Sequence, residues 1–282
     1  MKVAYGTYAM PTTPLEEAIP AISGMGYDGV EMAISPRHIG SLPEQLDTNR
    51  RAHLRQLLAD NHLELVALMV LKLHVLEMED SKHRENLRAT EKLAQLARDL
   101  GVETTPVIAM GIGGQTDHWQ LDRDLIARRG RDYADLAADH DFTLAAEAHA
   151  RTAVDRTDRA LWLIDQVDSP NFGLHFDIVH FFMGGERIED SVRSLVPITV
   201  HTHVTDAHRR PDGTFDLRLL GQGDLDTTTY VREMHAAGWP GFITLEVSGA
   251  VWNKDDFDPI KAAQIGYLAI DQAFQEAKVP RV

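Results

Sequence analysis

The residues best suited to chemistry in this chain lie between positions 200 and 210, in the segment VHTHVTDAHRR. The segment overlaps an apolar, β-branched run at 196–200, which predicts a buried strand. Because side chains alternate along a strand, His201 and His203 should point to the same face. Folds built on parallel strands place ligands and catalytic groups at the carboxyl ends of those strands. The segment is therefore a candidate site, although ordinary solvated charges at a strand end would produce a similar pattern.

Three further predicted strands each end in a carboxylate: FTLAAE at Glu147, FGLHFD at Asp177 and FITLE at Glu246. A carboxylate in an apolar strand is costly to bury unless it is paired, protonated or bound to a metal. One such residue is usually a structural hydrogen-bonding group, but three beside His203 on neighbouring strands are hard to explain as coincidence. Mixed nitrogen and oxygen donors suit Mn²⁺, Mg²⁺, Co²⁺ or Zn²⁺. Since the chain has no cysteine, we predict a catalytic metal site with open positions for substrate oxygens.

Strand-like and helix-like segments alternate along the whole chain and predict the elements that position these residues. The predicted strands cover residues 2–5, 29–32, 63–70, 102–110, 143–148, 172–178, 198–204 and 242–247. The predicted helices cover residues 14–25, 43–60, 81–100, 120–139, 156–166, 188–195, 227–237 and 259–277. Ser81 is the predicted cap of the third helix, and Gly101 should end it. Eight strand–helix pairs predict an α/β fold, a single (β/α)8 TIM barrel, with one domain over residues 1–282.

The composition limits the classes of partner. The chain has 282 residues and a formal net charge of −15, from 28 Lys and Arg against 43 Asp and Glu. An acidic chain is repelled by phosphate backbones, so we expect no nucleic-acid partner. No stretch approaches the roughly 20 apolar residues of a membrane helix, and the first residues turn polar too early for a signal peptide. We therefore expect a cytoplasmic protein with a small-molecule substrate; a homo-oligomer or a partner subunit stays open.

The strand-end residues resemble those of the xylose isomerase-like TIM barrels, a group of sugar and sugar phosphate isomerases and epimerases that also contains endonuclease IV. The matching residues are Glu147, Asp177-x-x-His180, His201-x-His203, Arg209, Gly221-x-Gly223-x-x-Asp226 and Glu246. In order and spacing they are most similar to the ketose 3-epimerases. The resemblance extends over most of the chain, with its motifs mainly in the second half.

This resemblance implies roles for individual residues. Glu147, Asp177, His203 and Glu246 would hold one divalent ion, with Mn²⁺ preferred and Mg²⁺, Co²⁺ or Zn²⁺ as alternatives. His180 and Arg209 would hold substrate oxygens. Glu31, at the end of the second predicted strand, is a further candidate for substrate contact, or else it supports the site through packing or hydrogen bonds.

The implied reaction moves a proton next to the carbonyl of a ketose. A metal on the carbonyl oxygen and the adjacent hydroxyl acidifies the carbon-bound proton and stabilises the enediolate. Glu147 and Glu246 would act as the acid/base pair, one on each face of this intermediate. Return of the proton to the opposite face gives an epimerase, and return to the neighbouring carbon gives an isomerase.

One departure from the ketose epimerases supports an alternative. Those enzymes follow the first glutamate with a Pro-Asn type sequence, whereas here the sequence is Ala148-His149-Ala150-Arg151. His149 is expected on the same strand face as Glu147, where it could be a base, a hydroxyl ligand or a hydrogen-bond partner of Glu147. With His149 as the base, the same metal site would serve a lyase that cleaves keto-glycosides or C-glycosides.

Two other functions are less consistent with the sequence. Endonuclease IV needs additional histidines, and none occurs between His208 and Gly221 or at the end of the fourth predicted strand. A sugar-binding barrel without catalysis has no need for two carboxylates around one carbon. We therefore expect an enzyme.

Overall fold

The computed structural model describes residues 1–281 and contains ten strands. They are β1 (Lys2–Gly6), β2 (Gly29–Ile34), β3 (Glu64–His74), β4 (Val107–Gly111), β5 (Thr143–Glu147), β6 (Phe172–Asp177), β7 (Thr199–Val204), β8 (Asp206–Arg209), β9 (Phe215–Arg218) and β10 (Phe242–Leu245). Eight of them form a closed barrel in the order β1-β10-β7-β6-β5-β4-β3-β2, and the paired neighbours run parallel. The predicted TIM barrel is confirmed.

Helices follow the barrel strands. They are α1 (Leu15–Met25), α2 (Thr48–Asp60), α3 (Asp80–Asp99), α4 (Trp119–Asp139), α5 (Thr157–Val167), α6 (Ile178–Met183), α7 (Ile188–Leu195), α8 (Thr227–Ala236), α9 (Gly249–Trp252) and α10 (Pro259–Ala277). The apolar sides of the long helices pack on the outside of the barrel, where most of the core lies. Within residues 1–281, no helix is both long and apolar enough to cross a membrane.

Some predicted boundaries are wrong for local reasons. Ser81 does not cap α3, because the helix already begins at Asp80 and Ser81 lies in its first turn. The predicted helix over 43–60 is divided into a 3-10 turn and α2, because the Asp47 side chain accepts the Arg50 amide and starts a new helix. β4 starts only at Val107, after Pro106, which has no amide proton for strand pairing.

The segment that follows β7 differs from the predicted long loop. β8 and β9 pair as an antiparallel hairpin in which Arg209 lies opposite Phe215. Most of its residues are exposed or half-buried, so it lacks the apolar alternation by which a strand is recognised. β7 itself begins at Thr199, because Val196–Ile198 form a 3-10 turn around Pro197.

Barrel closure sets the order of the candidate residues around the mouth. Glu147 and Asp177 end β5 and β6, His203 lies in β7, and Glu246 directly follows β10. Since these four strands are consecutive neighbours in the barrel, the four side chains form one continuous arc. Gly6, at the end of β1, leaves room for the carboxylate of Glu31, since a Cβ at this position would lie 3.0 Å from Glu31 Oε1.

Candidate metal centre and active site

Three of the predicted ligands meet at the mouth. Glu147, Asp177 and His203 are buried, and one donor atom from each lies within 4.8 Å of the others. Asp177 Oδ2 and His203 Nδ1 have no hydrogen-bond partner although both atoms are enclosed. Unpaired buried polar atoms are costly, and two carboxylates with an imidazole form a donor set that divalent ions accept. These residues therefore fit a divalent cation.

Glu246 lies next to this cluster. Its Oε2 is 3.8 Å from His203 Nδ1, the same nitrogen that lacks a partner. Burial above all, and then the carboxylates of Glu147, Asp177 and Glu31, raise the pKa of Glu246 to about 8, although His203 acts to lower it. When several carboxylates share one buried site, their mutual repulsion is relieved either by protonation of one of them or by a bound cation.

The imidazole of His203 is held from below by Glu31. His203 Nε2 donates to Glu31 Oε1 at 2.8 Å, and His201 Nε2 lies 2.6 Å from Oε2 of the same carboxylate. Burial by itself would raise the pKa of Glu31, but His203 and His201 lower it to about 2. Because the Glu31 carboxylate fixes the orientation of the ring, the other nitrogen of His203, Nδ1, is directed to the cluster, where it would give up its proton to coordinate a bound cation.

His180 contacts both carboxylates on its side of the arc. Its Nε2 lies 3.7 Å from Glu147 Oε1 and 3.6 Å from Asp177 Oδ2. Burial lowers the pKa of His180, but Asp177 and Glu147 outweigh burial and raise it overall. Burial also raises the pKa of Glu147, yet His180, His149 and His203 together bring it down to about 2. Glu147 is therefore the ionised carboxylate of this site.

His149 stacks on His180, with 3.7 Å between ring centroids. Its Nδ1 lies 2.8 Å from the carbonyl oxygen of Ala150. A carbonyl only accepts, so Nδ1 carries the proton and Nε2 keeps its lone pair. Burial and the neighbouring His180 lower the pKa of His149. The ring is thus neutral at physiological pH and able to accept a proton.

These groups open onto a cavity of about 180 Å³ at the mouth. It is lined by Tyr8, Met69, Val70, Leu71, Leu73, His74, Gly111, Glu147, His149, Asp177, Val179, His180, Thr205, Leu217, Glu246 and Ser248. The structure thus brings the predicted His149 and His180 to the same cavity as the three carboxylates. Catalytic and ligand roles for them stay predictions.

Two predicted substrate-binding residues lie elsewhere. Glu31 is fully buried beneath the cluster and its carboxylate is occupied by His201 and His203. Arg209 lies on β8 outside the cavity lining, with its guanidinium 5.1 Å from the centroid of Phe215 and its amide donating to Asp224. Substrate contact by Arg209 stays a prediction and requires the guanidinium to leave the Phe215 ring.

One further histidine was overlooked as part of the site. His175 is fully buried inside the barrel, and neither ring nitrogen has a hydrogen-bond partner. It packs edge-on against His203 with 4.1 Å between ring centroids, and burial is the main reason that its pKa is well below the usual value. Strand alternation was the available signal, because His175 precedes Asp177 by two residues and shares its face. Tyr8 and Thr205 also line the cavity, but no sequence pattern marks them as site residues.

The comparisons with known proteins identify the family. A family model described as xylose isomerase-like TIM barrel matches residues 19–268. The chain belongs to this family. Among curated relatives, it is similar to an inosose isomerase of Bacillus velezensis, at 23% identity over 230 residues, 79% of each chain. It is also similar to a 3-dehydroshikimate dehydratase of Bacillus anthracis, at 29% identity over 119 residues, 42% of each chain.

Solved structures of the family share the fold. A probable 3-DHS dehydratase from Bacillus anthracis superposes with a TM-score of 0.77 at 21% identity, covering 96% of this chain and 99% of that one. A D-psicose 3-epimerase solved in the presence of D-fructose gives 0.78 at 14% identity, covering 98% and 99%. A protein named IOLI with a bound zinc atom gives 0.76 at 18% identity, covering 99% and 98%.

Proposed function

We propose that this chain is a divalent-metal-dependent isomerase or epimerase that moves a proton next to the carbonyl of a ketose. The supporting observation is the arc at the barrel mouth, in which Asp177 and His203 stand between Glu147 and Glu246. The two glutamates line the same cavity from strands that are not adjacent, so a substrate carbon between them is approached from two directions. The relatives named as an isomerase and an epimerase are consistent with this chemistry.

Glu147, Asp177, His203 and Glu246 would hold the ion, Mn²⁺ by preference, with Mg²⁺, Co²⁺ or Zn²⁺ as alternatives. When bound, such an ion supplies electrophilic polarisation of a carbonyl and the adjacent hydroxyl, which makes the carbon-bound proton more acidic. His180 would orient the substrate through a hydrogen bond to one of its oxygens. Arg209 would do so only after leaving Phe215.

The two glutamates are suited to opposite halves of the proton transfer. In the metal-free site, the lowered pKa of Glu147 leaves it ionised, whereas the raised pKa of Glu246, about 8, lets it hold a proton. Pairs of titratable groups whose surroundings separate their pKa values are typical of acid/base catalysis. Such catalysis contributes roughly 10²–10⁴-fold to a rate.

The test is Glu246→Gln combined with isotope exchange. In D₂O with added Mn²⁺, the unaltered enzyme should incorporate deuterium into recovered ketose, and the variant should bind the same ketose while losing exchange by about 10²-fold or more. The exposed, distant Glu64→Gln is a suitable control. Near-normal exchange in Glu246→Gln would remove Glu246 from the mechanism, and no exchange by the unaltered enzyme with any ketose would end the proposal.

His149 favours one second candidate, a keto-glycoside or C-glycoside lyase. Its Nε2 has a free lone pair, and the residue lines the cavity beside Glu147. A base there would remove the proton while the group on the next carbon leaves. The curated relative named as a dehydratase also carries out an elimination. Release of an aglycone from a 3-keto-glycoside, lost in His149→Gln, would favour the lyase, and exchange without release would favour the epimerase.

A further inference from the structure

Three buried histidines lie together inside the barrel, below the arc at its mouth. His175 and His201 are directly opposite each other where β6 pairs with β7, and His203 follows His201 on the same face of its strand. All three are at most 4% exposed, and one donor nitrogen of each lies within 4.8 Å of the others. This group is distinct from the one formed by Glu147, Asp177 and His203, although His203 belongs to both.

Glu31 adds a fourth donor to these histidines. Its Oε2 lies 2.6 Å from His201 Nε2, and its Oε1 accepts from His203 Nε2 at 2.8 Å. The donors of a tetrahedral Zn²⁺ ion, with bond lengths of about 2.0–2.2 Å, lie about 3.4 Å apart. The separations here, 2.6 and 2.8 Å to Glu31 and at most 4.8 Å among the three nitrogens, lie on both sides of this value, so the donors are close enough to share one ion after small side-chain rotations. We call His175, His201, His203 and Glu31 the inner cluster.

His175 is the residue that points to a ligand. It is fully buried, and within residues 1–281 neither of its ring nitrogens has a hydrogen-bond partner. Its ring centroid lies 4.1 Å from that of His203 and 4.7 Å from that of His201. Because Glu31 places one oxygen on each of those two histidines, its hydrogen bonds leave His175 without a partner. A leucine would pack there without this cost, whereas a cation among the rings would give the imidazole a partner.

We propose that the inner cluster is a second cation site, in addition to the one in the arc, and that it takes Zn²⁺. Imidazoles suit Zn²⁺, whereas the carboxylates of the arc suit Mn²⁺ or Mg²⁺. With Glu31 as the fourth ligand, the set is complete and keeps no open position, which is typical of a structural ion rather than a catalytic one. On binding, the protons that now lie between Glu31 and the Nε2 atoms of His201 and His203 would leave to solvent. The inference does not depend on the proposed function, because the ion can bind without any catalytic step.

Metal analysis of the whole chain tests this site. The metal-free protein is loaded with excess Zn²⁺, desalted and analysed for zinc per chain. We expect two ions in the unaltered protein and one in His175→Leu, which removes both unpartnered nitrogens and keeps an apolar side chain in the barrel. If the arc binds no ion, both counts fall by one and the difference between the two proteins remains. His235→Gln, at an exposed histidine of α8, is the matched control and should retain as much zinc as the unaltered protein.

Cobalt gives a second readout, which requires no change in the inner cluster. Co²⁺ held by four ligands in a tetrahedron absorbs visible light far more strongly than six-coordinate Co²⁺. Titration of the unaltered, metal-free protein with Co²⁺ should therefore produce an intense visible band that Zn²⁺ removes. Asp177→Asn, which alters only the arc, should keep this band, and folded His175→Leu, verified by circular dichroism, should lack it.

Three results would overturn the inference. The first is an equal zinc content in folded His175→Leu and in the unaltered protein. The second is the absence of an intense Co²⁺ band from the unaltered protein. The third is loss of that band in Asp177→Asn, which would assign the tetrahedral ion to the arc.

Discussion

Replacing Glu31 by Gln should weaken metal binding, although Glu31 is not proposed as a metal ligand. Its two oxygens accept from His203 Nε2 at 2.8 Å and from His201 Nε2 at 2.6 Å, with the carboxylate fully buried. Glutamine has nearly the same shape but a single acceptor oxygen, so one of the two imidazoles loses its partner. His203 would then hold its other nitrogen toward the cation less firmly and with lower basicity.

The magnitude follows from these contacts. A hydrogen bond to a charged group contributes about 1.5–3 kcal/mol, and the loss of one such bond corresponds to about a 10- to 100-fold lower affinity. The same range is typical when the carboxylate partner of a metal-bound histidine is removed. Breaking a buried ion pair also costs about 3–5 kcal/mol of folding free energy, so the variant should be folded but less stable.

The assay is competition for Mn²⁺ between the protein and a chromophoric chelator, with urea unfolding measured in parallel. Glu64→Gln serves as the control, since Glu64 is 57% exposed and pairs with Lys2 at the other end of the barrel. An Mn²⁺ affinity within twofold of the unaltered protein would refute the support of His203 by Glu31. A raised KM with unchanged Mn²⁺ affinity would instead favour the substrate contact considered from the sequence.

The remaining predictions concern the metal and pH. Treatment with a chelator should abolish activity and Mn²⁺ or Co²⁺ should restore it; full activity after verified metal removal would contradict a metal mechanism. In the metal-free protein, burial and neighbouring carboxylates raise the pKa of Glu246 from 4.5 to about 8, and Glu31 above all raises that of His203 from 6.5 to about 10 despite burial. Above about pH 7, where buried histidines such as His149 and His175 are neutral in both states, the folded state therefore binds more protons than the unfolded state, and the free energy of unfolding should fall as pH rises from about 7 to 10. Urea unfolding at several pH values across this range measures the direction of this change. In Glu246→Gln, the free energy of unfolding should depend less on pH between about pH 7 and 8. A rise in stability over the same range would show that the charge balance of the cluster differs from this description.

The local patterns of this sequence were sufficient for the architecture and for the arc. Apolar runs alternating with amphipathic helices report on segments of ten to twenty residues, which is the scale on which strands and helices form. Glu147, Asp177 and Glu246 were recognisable because each interrupts an apolar run at its carboxyl end, where burial of a carboxylate needs a reason. Closure of the barrel then brought them to one side of the mouth. The hairpin after β7 was missed because its exposed, charged residues lack an apolar alternation.

Other features depend on which strands face each other, and only the closed barrel decides that. Glu31 reaches His203 across 172 positions of sequence, and no local pattern distinguishes that contact from a substrate contact. The position of Arg209 beside Phe215 follows from hairpin pairing, and β3 lies across the mouth from His203 because it is opposite β7 in the ring. The sequence by itself therefore determined which residue types end the strands. Long-range strand pairing determined which of them share a cavity, which support a ligand from below and which surface they face.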